Sequence, residues 1–147
     1  MKKNIVVKVQ SQSDVKFPEY KTAGSAGADV YAYLSEDISL APGEFKLIPT
    51  GLFLEIPQGY EIQVRPRSGL AAKYGITVLN SPGTIDSDYR GEAKVCLINL
   101  GKKMVTISNG DRIAQFVLAP VCCASYQFSQ TLSETKRGSG GYGSTGK

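Results

Sequence analysis

Histidine and tryptophan are both missing from this sequence, cysteine occurs three times, and no apolar run is long enough to cross a membrane. Each absence excludes something. Without histidine, zinc loses its usual nitrogen ligands, and no Ser-His or Cys-His nucleophile pair exists. A general base must then be a carboxylate, or failing that a lysine or tyrosine. An odd cysteine count with two adjacent members, Cys122 and Cys123, speaks against a disulfide framework and for a reducing compartment. The first apolar run, Ile5 to Val7, lies between Lys3 and Lys8, too short for a signal peptide or a membrane span. The expectation is therefore a cytosolic protein, or a nuclear one in a eukaryote.

Also scarce is charge of one sign. Seventeen Lys and Arg against thirteen Asp and Glu give +4, mildly basic and short of the dense basic footprint of a duplex-binding domain. No direct nucleic-acid binding is expected, and a small polyanion suits the balance better. A chain of 147 residues is one domain by length and buries enough surface to fold without staples.

What is present is a series of short apolar runs punctuated by Pro and Gly, with no amphipathic helical pattern longer than about three turns. Strands are predicted over residues 5–9, 29–33, 38–40, 44–49, 51–56, 60–64, 76–79, 93–99, 105–108 and 114–119. The breaks between them, such as Ala41-Pro42-Gly43 and Ser81-Pro82-Gly83, are turn chemistry. With no Trp and no suitable cysteine pair, an all-β, jelly-roll-like β-barrel follows more naturally than an immunoglobulin sandwich. One short helix is expected over residues 68–75, with Ser68 as its N-cap and Gly75 closing it. From residue 125 the composition shifts to Ser, Gln, Thr and Gly. The predicted organisation is a β-barrel over residues 1–124 and a flexible glycine-rich arm over residues 125–147.

Five stretches stand out. Residues 83–95, G-T-I-D-S-D-Y-R-G-E-A-K-V, place Asp86, Asp88 and Tyr89 on a glycine-bounded loop carried by the sheet. Locally these also read as ordinary solvated turn residues. Arg65, Pro66 and Arg67 precede the short helix, so guanidinium, free backbone N–H groups and helix dipole converge on a point suited to an anion; a capped surface helix with solvated arginines is the equal alternative. Asp29, in A-G-A-D-V-Y-A, puts an acid at the start of a strand, where Asp is depleted; a turn cap is the equal alternative. Gln115 interrupts the apolar strand of G-D-R-I-A-Q-F-V, as an outward-facing position or an amide in need of a partner. The C-terminal R-G-S-G-G-Y-G-S-T-G, from Arg137, threads a cation, one aromatic and hydroxyls through glycines, a composition fit to wrap a nucleotide.

Taken in order, A-G-A-D-V-Y-A, P-R-S-G-L-A, the 83–95 segment, G-D-R-I-A-Q-F and R-G-S-G-G-Y-G-S-T-G resemble the five motifs of the trimeric deoxyuridine triphosphate pyrophosphatase (dUTPase) family. The resemblance implies hydrolysis of dUTP to dUMP and pyrophosphate with Mg2+, in a homotrimer whose three sites each draw on all three chains. It also implies a role in limiting uracil in DNA and supplying dUMP. By the same resemblance Asp86 is the carboxylate that activates water, Asn80 and the Gly83 turn read uracil, and Thr84 belongs to the substrate-binding set. Tyr89 lies under the deoxyribose. Arg67, Ser68, Gly69, Lys94 and Gln115 contact the nucleotide, and Asp29 orients the waters of the magnesium ion. From the arm, Arg137, Ser144 and Thr145 clamp phosphate, Gly143 also belongs to the substrate-binding set, and Tyr142 covers uracil where the family usually has Phe. The alternatives are a deoxycytidine triphosphate deaminase of the same fold, a nucleotide-binding regulator without turnover, and a β-sandwich assembly protein. Asp86 in I-D-S-D-Y with the complete glycine-rich tail favours hydrolysis over deamination, and intact Asp86, Gln115 and Arg137 argue against a site without turnover.

Overall fold

The computed structural model describes residues 4–143. Among these residues, eleven strands and one helix form four small sheets and a single helical turn pair. β2 (Ala28–Tyr31), β11 (Arg112–Pro120), β6 (Tyr60–Arg65) and β8 (Gly83–Ile85) make the largest sheet, in the order β2-β11-β6-β8, with β4 (Phe45–Ile48), β9 (Val95–Asn99) and β7 (Ile76–Val78) in a second. Two ribbons complete it: β1 (Lys8–Gln10) with β5 (Phe53–Glu55), and β3 (Ile38–Leu40) with β10 (Val105–Ile107). Every pairing is antiparallel. The chain is an all-β, jelly-roll-like barrel with one short helix, α1 (Ser68–Tyr74).

Period-two patterning builds the interior. In β9, Val95, Leu97 and Asn99 are buried while Cys96 and Ile98 are half-buried; in β6, Ile62 and Val64 point inward and Gln63 and Arg65 outward. These side chains join Val30, Leu40, Ile48, Leu52, Ile76, Ile113 and Phe116 in a single core. Buried Asn99 is satisfied: its Nδ2 donates to the carbonyls of Leu40 and Lys103, both at 2.8 Å, and its Oδ1 accepts from Gly101 N.

Three expectations need correction. The first strand begins at Lys8 rather than at residue 5, because pairing is limited to the three residues of β5, and Val6 stays exposed. Residues 83–85, read as a turn, form strand β8 on the edge of β6, with Gly83 opposite Val64 and Ile85 opposite Ile62. The helix N-cap is Arg67, in extended conformation and without a side-chain capping bond, so Ser68 lies inside the first turn. The guanidinium of Arg67 is tied to Asp29 and to the Arg112 carbonyl, which holds the chain extended through residue 67. At the other end Gly75 caps the helix as expected, with a φ of 70° that favours glycine.

β11 ends at Pro120, and residues 121–143 contain turns but neither strand nor helix.

Candidate active site

A row of cross-strand neighbours runs over the four-stranded sheet: Asp29 of β2 faces Gln115 of β11, which faces Arg65 of β6. Neighbours in register share a face, and this face is the one opposite Val30, Ala114 and Phe116 of the core. Arg112 belongs to the same group through an irregularity. Residues three apart in a regular strand point to opposite faces, so Arg112 and Gln115 would diverge. The register shifts between Arg112 and Ala114, where Ile113 is inserted as a β-bulge, and the extra residue brings both side chains to one side.

Asp29 is the centre of this group and is 3% exposed. Its Oδ1 accepts from Gln115 Nε2 at 3.1 Å and lies 3.5 Å from Arg67 Nε; its Oδ2 accepts from Arg112 Nη1 at 3.0 Å. Burial resists ionisation of this carboxyl, but the hydrogen bonds from Gln115 and Arg112 and the charges of Arg67 and Arg112 outweigh it. They hold the group below the usual carboxylate range. Gly27 makes room for the amide, since a Cβ there would stand 3.0 Å from Gln115 Oε1 and 3.1 Å from its Cβ. The Gln115 side chain therefore has the hydrogen-bond partner its place in the strand demands. Ser68 and Gly69 stand at the start of α1, directly after Arg67.

The second group lies around β8. A cavity of about 400 Å³ is lined by Asn80, Gly83, Thr84, Asp86, Tyr89 and Lys94, together with Leu47, Val64 and Cys96. Gly83 is buried against Val64, where a Cβ would come within 3.1 Å of Val64 Cβ and 3.3 Å of Asn80 Nδ2, so only glycine lets Asn80 lie this close. Asp86 follows β8 in a turn closed by Tyr89 N donating to the Asp86 carbonyl at 3.2 Å. Its carboxylate is exposed and has no hydrogen-bond or ion-pair partner among the described residues.

Tyr89 is held from below. Its hydroxyl donates to the Glu92 carbonyl at 3.1 Å, and its ring covers Gly91, where a Cβ would fall 2.3 Å from the phenol oxygen. Arg90 closes the turn by donating to the carbonyls of Ser87 and Tyr89 at 2.7 and 3.0 Å. Glu92 was not among the expected residues. Its Oε1 accepts from Gly51 N at 2.9 Å and its Oε2 lies 3.6 Å from Lys94 Nζ, which anchors the hairpin and draws Lys94 to the cavity wall.

The two groups do not meet within one chain. Arg67 and Arg112 line a separate cavity of about 480 Å³ with Leu70, Tyr74 and Met104, and it shares no residue with the one at Asp86. Two strand spacings, about 10 Å, and about three residues along β6, a further ~10 Å, separate Gln115 from the end of β8. The described residues of the arm line neither cavity: Arg137 Nε donates to the Gly140 carbonyl of the same segment at 2.8 Å, Tyr142 is fully exposed, and Gly143 is exposed beside it. Ser144 and Thr145 lie outside the described residues.

Comparison with known proteins bears on both groups at once. The dUTPase family model matches residues 13–146. A deoxyuridine 5'-triphosphate nucleotidohydrolase of Desulfotalea psychrophila is 60% identical over 132 residues, covering 90% of this chain and 88% of the relative. One from Thermoanaerobacter is 52% identical over 146 residues, covering 97% and 99%. Among solved structures, the Staphylococcus bacteriophage 80alpha dUTPase with dUpNHpp superposes with a TM-score of 0.86 at 24% identity, over 97% of this chain and 99% of that one. A mutant dUTPase of the S. aureus phage phi11, described as coordinating a structural Mg(II) ion, superposes at 0.76 and 22% identity, over 86% and 97%.

Proposed function

The chain belongs to the dUTPase family, and from that premise we propose that it hydrolyses dUTP to dUMP and pyrophosphate with water held and deprotonated by Asp86. One observation carries the assignment: a carboxylate without a partner among the described residues stands on the rim of a cavity lined by Asn80, Gly83, Tyr89 and Lys94. With no histidine in the chain, a turn-held carboxylate is the base available. Water gives its proton to Asp86, its oxygen bonds to phosphorus, and the α–β phosphoanhydride breaks with pyrophosphate as leaving group. The cavity suits a pyrimidine nucleoside. Asn80 and the backbone at Gly83 and Thr84 offer donors and acceptors to the base, and the Tyr89 ring forms a floor on which a deoxyribose, lacking a 2′-hydroxyl, packs closely.

Arg67, Gln115 and the N–H groups at Ser68 and Gly69 are suited to the phosphates. The Asp29 carboxylate fits a role toward Mg2+: it is ionised, and about four acceptor sites on its oxygens face only three protein donors, which leaves room for a water. Magnesium keeps several waters and is bound largely by substrate phosphates, so Asp29 would hold it through those waters. When bound, the ion offsets the charge of the triphosphate.

Because the cavity at Asp86 and the group at Asp29 are separate in one chain, we place the active unit as a homotrimer. Each site then joins the Asp86 hairpin of one copy, the Arg67–Gln115 group of a second and the arm of a third, residues 125–147 with Tyr142 as lid. Removing dUTP limits uracil in DNA, and the dUMP formed feeds thymidylate synthesis. The cytoplasm, or the nucleus in a eukaryote, is the place for that chemistry.

Replacing Asp86 with Asn tests the assignment. Turnover of dUTP, followed by pyrophosphate release, should fall by about 10²- to 10⁴-fold, with melting temperature and dUTP affinity little changed. Turnover near that of the parent enzyme would remove Asp86 as the base.

A further inference from the structure

Two guanidinium groups converge on Asp29, and they are not equivalent. Arg112 makes the close contact, Nη1 to Oδ2 at 3.0 Å; Arg67 stands farther off, Nε to Oδ1 at 3.5 Å, while its Nη1 donates to the Arg112 carbonyl at 3.1 Å. Arg67 Nη2 has no protein partner among the described residues. Asp29 is nearly sealed by protein, the Arg67 side chain is 22% exposed and that of Arg112 44%. Arg67 thus approaches Asp29 through Nε alone and makes no bidentate fork on it.

We propose that Arg112 is a positioning residue for the phosphate site. By serving as the close counter-ion of Asp29, it keeps Arg67 from closing onto that carboxylate and leaves the Arg67 guanidinium available to the triphosphate. The inference rests on the reading of Arg67 as a phosphate contact.

A buried carboxylate stripped of one cation is strongly penalised unless another moves in. Arg67 is the cation at hand, and bidentate pairing with a carboxylate is its preferred geometry. Once both of its edges are spent on Asp29, it has less to offer a phosphate. Gln115 cannot substitute, since an amide carries no charge. The bulge at Ile113 shows that β11 gives up regular pairing at the one point where Arg112 must share a face with Gln115 and Asp29. Arg112 is linked to Arg67 twice, by its side chain through Asp29 and by its own carbonyl. Substitution removes the first link and leaves the second, so the helix start keeps a tether.

The experiment measures binding of dUpNHpp and of dUMP, with magnesium, to the full-length protein and to Arg112→Met, Arg112→Lys, Asp29→Asn and the Arg112→Met/Asp29→Asn double variant. Arg112→Met should weaken dUpNHpp by about tenfold to a hundredfold, the range covered by one charge-assisted hydrogen bond. For dUMP, which lacks the β- and γ-phosphates, the change should stay under about threefold on the same scale. Arg112→Lys keeps a cation beside Asp29 and should recover most of the loss. In the Asp29→Asn background there is no carboxylate to capture Arg67, and Arg112→Met should add little. Equal weakening of both ligands would overturn the proposal in favour of a general structural role. A full loss that persists in the Asp29→Asn background would overturn it in favour of direct contact between Arg112 and phosphate. Failure of the unsubstituted protein to bind dUpNHpp would instead overturn the nucleotide reading, and the inference with it.

Discussion

A carboxylate that is only 3% exposed and still ionised makes Asp29 a source of pH dependence in folding. Its pKa in the fold lies below the ordinary value of 3.8, because its hydrogen bonds and two arginines outweigh the burial that would raise it. A depressed carboxylate contributes stability that is complete above the unfolded value and is lost as pH falls through the folded one. Melting temperature should therefore drop as pH is lowered below about 4. The same scan on Asp29→Asn should show a shallower acid decline, and identical slopes would mean that other carboxylates carry it. At this scale the motifs single out Asp86, Gln115, Asn80 and Tyr89 as candidates, and the structure sets Asn80, Asp86 and Tyr89 around one cavity and Gln115 against Asp29, a grouping that residue spacing alone does not give. Arg112 stands in the same G-D-R-I-A-Q-F stretch but drew no role, because regular alternation would turn it away from Gln115; a one-residue bulge has no signature in that stretch.

Elements show where sequence patterns compete. Pro82-Gly83 signals a turn, yet Gly83 is also the residue whose missing Cβ lets the chain pair against Val64, and the pairing prevails as β8. Helix α1 was legible from its formers and closing glycine, and its N-cap was not, because a long-range tie from Arg67 to Asp29 overrides the local preference for serine. The arm is the extreme case. Residues 121–143 have no strand or helix, and Tyr126, Phe128, Leu132 and Tyr142 are nearly or fully exposed. Closing such a segment over a nucleotide costs about 1–2 kcal/mol per ordered residue. Stacking by Tyr142, about 1–3 kcal/mol, and charge-assisted contacts from Arg137 are the available offsets. Cutting the chain after Thr135 should leave the melting temperature unchanged and lower kcat/KM severely. Tyr142→Phe should cost little and Tyr142→Ala about tenfold or more, the worth of one stacked base. A truncated protein with full kcat/KM would reduce the arm to a linker.

At the scale of the whole molecule, a single chain leaves a good deal of apolar surface uncovered. Phe17, Phe45, Leu47, Leu100 and Met104 are each more than half exposed, as are the aromatics of the arm. Apolar surface left in such quantity marks interaction sites. One such residue, Leu47, lines the cavity at Asp86, and another, Met104, lines the cavity at Arg67 and Arg112. In the trimer proposed above, this surface is the candidate contact between copies, and the site would join the cavity of one copy to the arginines of another. It also yields a quantitative test. Asp86→Asn and Arg67→Met chains are each expected to be nearly inactive alone, since every site in such a trimer lacks one part. Unfolded together in equal amounts and refolded, they assort at random. In a cyclic trimer whose sites take Asp86 from one chain and Arg67 from its neighbour, about one site in four then receives both intact residues. Activity should return to about a quarter of the unsubstituted level under that symmetry, and sedimentation should show a species about three times the mass of the chain. If each chain carries its own complete site, the mixture remains as inactive as its parts, because no exchange of subunits can then restore a broken one.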